Sequence, residues 1–100
     1  MNTTQLAKVL KALSHPNRLE LYLEIAKKQE TSFESSDKCC LIHEIMKSLK
    51  IGAPTVSHHL KELANADLII TERQGKYLMA KINETTINEV VRALSVASNT

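Results

Sequence analysis

The sequence is poor in the residues that interrupt secondary structure. Its 100 residues include two glycines, two prolines and 3% aromatic residues, with no tryptophan. So few turn residues argue against a β-sandwich, whose many short strands need many turns, and so few aromatics argue against binding single-stranded nucleic acid by base stacking. No apolar run approaches the ~18 residues of a membrane span, and no basic-then-apolar leader opens the chain. We therefore expect a cytoplasmic protein.

The chain carries little net charge, but the charge is unevenly distributed. A length of 100 residues predicts one domain over residues 1–100. The formal charge of +2 comes from the middle: residues 38–66 sum to +2 and residues 67–83 to +1, whereas residues 1–37 sum to zero. No carboxylate lies between Glu44 and Glu62. A surface that binds a polyanion needs such an excess, although an ordinary solvated face explains it equally well.

Apolar residues recur at the spacings i, i+3, i+4 and i+7, which predict amphipathic helices. These patterns cover residues 6–13, 42–49 and 87–94, and a more apolar, central helix begins at Pro16. Thr3 or Thr4 is the expected cap of the first helix. A polar loop is expected over residues 29–38 and a short strand at residues 39–41. A further helix over about residues 53–65 buries Val56, Leu60 and Leu63.

After Asp67 the apolar period changes from helical to two. Residues 68–73 and 77–82 are rich in strand-forming residues and are joined by Gln74, Gly75 and Lys76. This arrangement predicts a β-hairpin with a basic tip. The whole order predicts a mainly α (α+β) fold, a winged helix-turn-helix of five helices with a two-stranded hairpin as the wing.

The helix over residues 53–65 has a polar side that suits double-stranded DNA. Hydroxyl, imidazole and ammonium groups lie opposite its buried stripe, and Lys and Arg of the hairpin tip suit phosphates. His59 falls at the edge of that stripe, so both packing and DNA contact are open to it. The predicted DNA-binding residues are Lys50, Thr55, Ser57, His58, His59, Lys61, Arg73, Gln74 and Lys76.

Three stretches resemble the ArsR-type repressors, a family of small winged-helix metal and stress sensors. Residues 12–19 (ALSHPNRL) are similar to that family's stretch between its first two helices, and residues 54–63 (PTVSHHLKEL) to its recognition helix. Residues 73–77 (RQGKY) lie where its wing does. The resemblance covers about residues 5–95. It implies a homodimeric repressor that binds operator DNA and releases it when an inducer binds.

The first and last helices independently predict a dimer. Each has one long aliphatic stripe, and a small helical core with a hairpin covers only part of two such stripes; packing of both stripes within one subunit is the alternative. The predicted dimer interface consists of Leu6, Val9, Leu10, Leu13, Ile87, Val90, Val91 and Leu94. A symmetric dimer would place two recognition helices about 34 Å apart, matching an inverted-repeat operator.

The metal sites that the resemblance implies are not matched. Arsenic and metal sensors of the family often have a Cys-x-Cys-Asp-Leu pattern, but Leu41 and His43 occupy those cysteine positions here, and residues 84–97 lack the histidine of its zinc sensors. Cys39, Cys40 and His43 still form a candidate site for a thiophilic metal or metalloid. Oxidation of the thiols and simple packing as small apolar residues are the alternatives.

No residue pattern points to catalysis. Ser57 has no acidic partner to orient a neighbouring histidine, and the chain has no glycine-rich phosphate loop. We therefore expect no enzyme. The alternative to a DNA-binding regulator is a winged-helix protein–protein interaction module, which is suggested by the low net charge and by the absence of arginine from the helix over residues 53–65.

Overall fold

The computed structural model describes residues 1–31, 40–49 and 52–95. Within these ranges the elements are α1 (Thr3–Leu13), α2 (Pro16–Thr31), β1 (Cys40–Leu41), α3 (Ile42–Leu49), α4 (Ala53–Asn65), β2 (Ile69–Gln74), β3 (Tyr77–Ile82) and α5 (Glu84–Ser95). The five predicted helices and the hairpin are confirmed, and so is a short strand before α3. Cys39, Lys50 and residues 32–38 of the predicted loop lie outside the described residues.

The start of α1 differs from the prediction. Asn2, rather than Thr3 or Thr4, is the N-cap: its side-chain oxygen accepts a hydrogen bond from the Gln5 backbone N–H at 2.8 Å, and the Gln5 side chain accepts from the Asn2 N–H at 3.1 Å. This reciprocal pair is a capping box, which satisfies two backbone donors at once. The prediction failed because several adjacent polar residues were all suitable caps.

Helix α2 is at the centre of the core. Leu21 and Ile25 are fully buried, and α2 packs against α1, α3, α4 and strands β1 and β3. The helix continues to Thr31, three residues into the predicted loop. Near its end, the Gln29 side-chain oxygen accepts a hydrogen bond from the Ile82 backbone N–H at 2.9 Å. Among the described helices, none is long and apolar enough to span a membrane.

The strands form one antiparallel sheet in the order β1-β3-β2. Cys40 pairs with Ala80, so the short strand before α3 extends the hairpin to a third strand. Gln74 pairs with Tyr77, which leaves a two-residue turn of Gly75 and Lys76. Gly75 has a φ of 62°, a backbone conformation that glycine adopts without the steric cost of a Cβ.

A tight turn fixes the direction of β2 relative to α4. The Leu68 N–H donates to the Leu63 carbonyl and the Asp67 N–H to the Ala64 carbonyl, each at 3.0 Å. This is the hydrogen-bond pattern of a Schellman motif, with Asp67 in the left-handed region at a φ of 60°. Leu63 and Leu68 are both fully buried. The turn therefore holds the hairpin at a defined angle to α4.

Candidate nucleic-acid interface

Helix α4 has one buried and one exposed side. Val56, Leu60 and Leu63 are buried in the core, as predicted. The opposite side exposes a proline, two hydroxyls, an imidazole, an ammonium and an amide, contributed by Pro54, Thr55, Ser57, His58, Lys61 and Asn65. Glu62, the one carboxylate of this helix, is half-buried. The exposed side therefore presents hydrogen-bonding groups and positive charge.

The hairpin tip lies beside this exposed side. Arg73, Gln74 and Lys76 are all exposed at the end of the hairpin, and the Lys76 ammonium lies 5.6 Å from the centre of the Tyr77 ring. Ser57 of α4 and Lys76 of the turn line the same groove. The fold thus brings residues about 20 positions apart in sequence into one polar, basic surface.

His59 differs from the other predicted contact residues. Its side chain is only 3% exposed, because it faces the junction of α1 and α2 and not the exposed side of α4. The Arg18 Nε–H donates to His59 Nδ1 at 3.4 Å, and the His15 ring centre lies 4.8 Å from that of His59. This burial removes His59 from the residues that we propose to contact DNA.

The His59 ring is held in its neutral form. Because Nδ1 accepts from Arg18, a neutral ring carries its proton on Nε2, which is buried and has no hydrogen-bond partner among the described residues. Burial of the ring, followed by the electrostatic effects of the neighbouring His15, Arg18 and His58 side chains, lowers the pKa of His59 below its ordinary value of 6.5. Protonation of His59 therefore opposes the packing of α4.

Arg18 is a residue of the interface region that the sequence did not single out. Besides its bond to His59, its guanidinium donates to the Ala12 carbonyl near the end of α1 at 3.3 Å. Arg18 thus joins α1, α2 and α4. Its position two residues after Pro16, in the first turn of α2, is visible in the sequence, but a partner 41 residues away gives no local signal.

The structure divides the predicted dimer residues into three groups. Val9 and Val90 are buried within the subunit. Leu6, Leu13 and Ile87 are partly buried against the core. The remaining residues are exposed and apolar: Leu10 by 40%, Val91 by 56% and Leu94 by 58%.

The cysteine cluster is only partly placed. Cys40 forms β1 and His43 lies in the first turn of α3, while Cys39 is outside the described residues. Among the side chains that the structure describes, which do not include those of Cys39, Cys40 and His43, no group of three histidine, cysteine, aspartate or glutamate residues is arranged to hold a metal ion.

The sequence is similar to known bacterial regulators. The model of the family described as "Bacterial regulatory protein, arsR family" matches residues 34–71. The chain is 27% identical over 96 residues to the arsenical resistance operon repressor of Staphylococcus xylosus, covering 96% of this chain and 83% of that protein. It is 30% identical over 90 residues to the biofilm growth-associated repressor of Xylella fastidiosa, covering 90% of this chain and 70% of that protein.

Solved structures share the fold. A crystal structure of an ArsR family transcriptional regulator is similar with a TM-score of 0.75 at 18% identity, covering 99% of this chain and 91% of that one. A homodimeric winged helix-turn-helix DNA-binding domain from Mycobacterium bovis gives a TM-score of 0.68 at 20% identity, covering 96% and 80%. The fold of this chain is therefore a winged helix-turn-helix.

The buried His59 makes the stability of the protein depend on pH. Since folding holds its pKa below 6.5, the unfolded chain binds more protons as the pH falls below that value, and the free energy of unfolding decreases. This contribution is fully present above pH 6.5. We expect His59→Asn to reduce the loss of stability on acidification, as measured by urea unfolding between about pH 7.5 and about pH 5.

The matched control is His58→Asn, which changes the neighbouring, exposed histidine. It is expected to change the dependence of stability on pH much less than His59→Asn does, because His58 is the smallest of the causes that lower the pKa of His59. If the two variants and the wild type lost stability in parallel over this range, His59 would not be the group responsible.

Proposed function

This chain belongs to the arsR family of bacterial regulatory proteins, and we propose that it is a transcriptional repressor that binds an inverted-repeat operator as a homodimer. The observation that carries the proposal is the basic hairpin tip beside the exposed side of α4. An α-helix of this kind fits the major groove of B-DNA. The adjacent hairpin is then placed to follow the neighbouring phosphates or to enter the minor groove.

The residues of this surface divide by chemistry. Thr55, Ser57 and His58 carry short or planar hydrogen-bonding groups at exposed positions of α4, and these groups suit base edges and phosphates. Long cationic side chains suit the phosphate backbone, where sequence matters little. We assign this role to Lys50, Lys61, Arg73 and Lys76, with Gln74 as a polar contact of the wing.

The exposed residues of α1 and α5 support a homodimer. Leu10, Val91 and Leu94 remain uncovered although Val9 and Val90 on the same helices are buried. The two helices are neighbours, because residues of both line one small cavity beside Asp67. Exposed aliphatic side chains on adjacent helices are typical of an interface between subunits. The homodimeric state of the Mycobacterium bovis domain agrees with this assignment.

Dimer symmetry determines the form of the operator. A two-fold axis between the subunits places two copies of α4 about 34 Å apart, one turn of DNA. Each copy then reads one half of an inverted repeat. Because a bacterial repressor meets its operator where the chromosome lies, we assign the protein to the cytoplasm, as one domain over residues 1–100.

For regulation, we propose a thiol-reactive inducer that acts on Cys39 and Cys40. The support is that two soft sulfur ligands precede α3 and that similar proteins are named arsenical resistance operon repressors. Cys40 pairs with Ala80 of the hairpin, so a ligand or oxidant at this position acts directly on the wing. His43 follows Cys40 by three residues, in the first turn of α3, and is the nearest imidazole in the sequence.

The alternative functions, a protein–protein interaction module and an enzyme, have less support. The relatives are named as repressors, which gives no support to a protein–protein interaction module. Membership in a family of regulatory proteins gives no reason to assign a catalytic role to Ser57.

Two substitutions distinguish base contacts from phosphate contacts. On an operator selected from random duplex DNA, Ser57→Ala is expected to weaken binding by about 1–3 kcal/mol, the range for a specific contact. Lys76→Ala is expected to weaken binding to all DNA sequences about equally. It is also expected to reduce the slope of log affinity against log salt concentration by about one. Fluorescence anisotropy at several salt concentrations measures both effects.

The control is Lys8→Ala, which removes an exposed lysine of α1 and is expected to change neither quantity. A Lys76→Ala variant that changed only sequence preference would contradict the wing assignment. No selection of a duplex sequence at low salt would contradict DNA binding itself.

The dimer is tested by placing charge on the uncovered residues of α5. The double substitution of Val91→Glu and Leu94→Glu is expected to give a monomer in sedimentation experiments, because burial of unpaired carboxylates is costly. Operator affinity then falls about 10²-fold or more, since the two half-sites are no longer linked. The control is Leu23→Glu on α2, whose side chain is equally exposed at 56%. Loss of the dimer through Leu23→Glu alone would place the interface on α2 instead.

The inducer proposal is tested with the thiols removed. The double substitution of Cys39→Ser and Cys40→Ser is expected to bind the operator as the wild type does. Arsenite or an oxidant such as diamide is then expected to release the wild type, but not the variant, from the operator. Equal release of both proteins would exclude these cysteines as the sensor.

A further inference from the structure

A groove of about 410 Å³ lies between α3, α4 and the hairpin. Its floor is apolar and buried, formed by Ile42, Val56 and Leu60, with the half-buried Met46 and Leu78 beside them. Its rim is exposed and carries the Ser57 hydroxyl, the Lys76 ammonium and the Tyr77 ring. Small-molecule sites have this form, an apolar cavity of about 300–1,000 Å³ with a few polar groups.

The charge of the groove selects one kind of ligand. Among the described residues that line the groove, Lys76 is the one charged side chain and none is a carboxylate. The groups at the rim can donate hydrogen bonds to an anion, while the described floor residues offer aliphatic and thioether surface. A molecule with an apolar body and one carboxylate therefore complements both the apolar floor and the Lys76 ammonium. A cation with the same apolar body is repelled by Lys76.

Occupation of the groove conflicts with binding of DNA. Ser57 and Lys76 line the groove and also belong to the proposed DNA-binding surface, so a carboxylate beside Lys76 takes the place of a phosphate. By linkage, a ligand that weakens the affinity for DNA is itself bound more weakly when DNA is present.

We propose that this groove is a binding site for an amphipathic organic anion, and that its occupation releases the protein from DNA. The apolar body lies against Ile42, Val56 and Leu60, and the carboxylate lies beside Lys76. The second half of the proposal rests on the proposed repressor function, whereas the first half stands on the groove alone.

The direct test uses the full chain without DNA and sodium decanoate as the probe, below the concentration at which decanoate forms micelles. Titration followed by ¹H–¹⁵N NMR is expected to shift the amide signals of Val56, Leu60 and Leu78. Decyltrimethylammonium, which has the same chain and the opposite charge, is expected to bind more weakly. No saturable binding of decanoate, or equal binding of both probes, would overturn the site.

A charge reversal makes the test specific. Lys76→Glu is expected to weaken decanoate about fivefold to tenfold, since a modest attraction becomes a repulsion, and to improve binding of decyltrimethylammonium. Arg73→Glu changes another exposed cation of the hairpin that does not line the groove. It is expected to leave decanoate binding unchanged, and an equal effect of both substitutions would overturn the assignment of Lys76.

The regulatory half is tested on the selected operator. Decanoate is expected to lower the affinity of the wild type for DNA at concentrations that saturate the groove. Unchanged DNA affinity of the decanoate-bound protein would overturn regulation through the groove. If the protein selected no DNA at all, the repressor function and the regulation that depends on it would both fail, while the NMR titration would still decide the site.

Discussion

The proposed DNA-binding surface depends on the apolar contact between α4 and α2. Leu63 of α4 and Leu21 and Ile25 of α2 are fully buried in the same core, so α4 is held by one side while its other side is open to solvent. Because protein interiors are close-packed, this contact sets the depth and the direction of α4. The packing of the buried side of α4 against α2 therefore positions every group on the exposed side of α4.

Two polar features complete this contact. Near the middle of α4, Arg18 connects the helix to α1 and α2 through His59 and the Ala12 carbonyl. At the C-terminal end of α4, the Schellman turn at Asp67 directs the chain into β2. Together they fix both the recognition helix and the wing to the core. The buried and partly unsatisfied His59 ring makes the first of these connections sensitive to acid, since its neutral form is the one that packs.

The groove beside the wing follows from the same arrangement. The hairpin leaves the Asp67 turn and returns beside α3 through the pairing of β3 with β1. Its tip therefore lies beside α4 without filling the space between them, and Val56 and Leu60 line the bottom of that space. The proposed DNA-binding surface and the proposed anion site thus share Ser57 and Lys76, so occupation of one would oppose occupation of the other.

The sequence by itself determined the order of the elements, because apolar periodicity, Pro16 and the change to period two after Asp67 are local signals. The identity of the exposed residues of α4 also followed from the helical period of 3.6 residues. Tertiary structure decided that His59 faces Arg18 and not solvent, that α2 continues to Gln29 and beyond to reach Ile82, and that Leu10, Val91 and Leu94 stay uncovered. The physical reason is that a period states which residues share a side of a helix, while burial depends on what the rest of the chain places against that side.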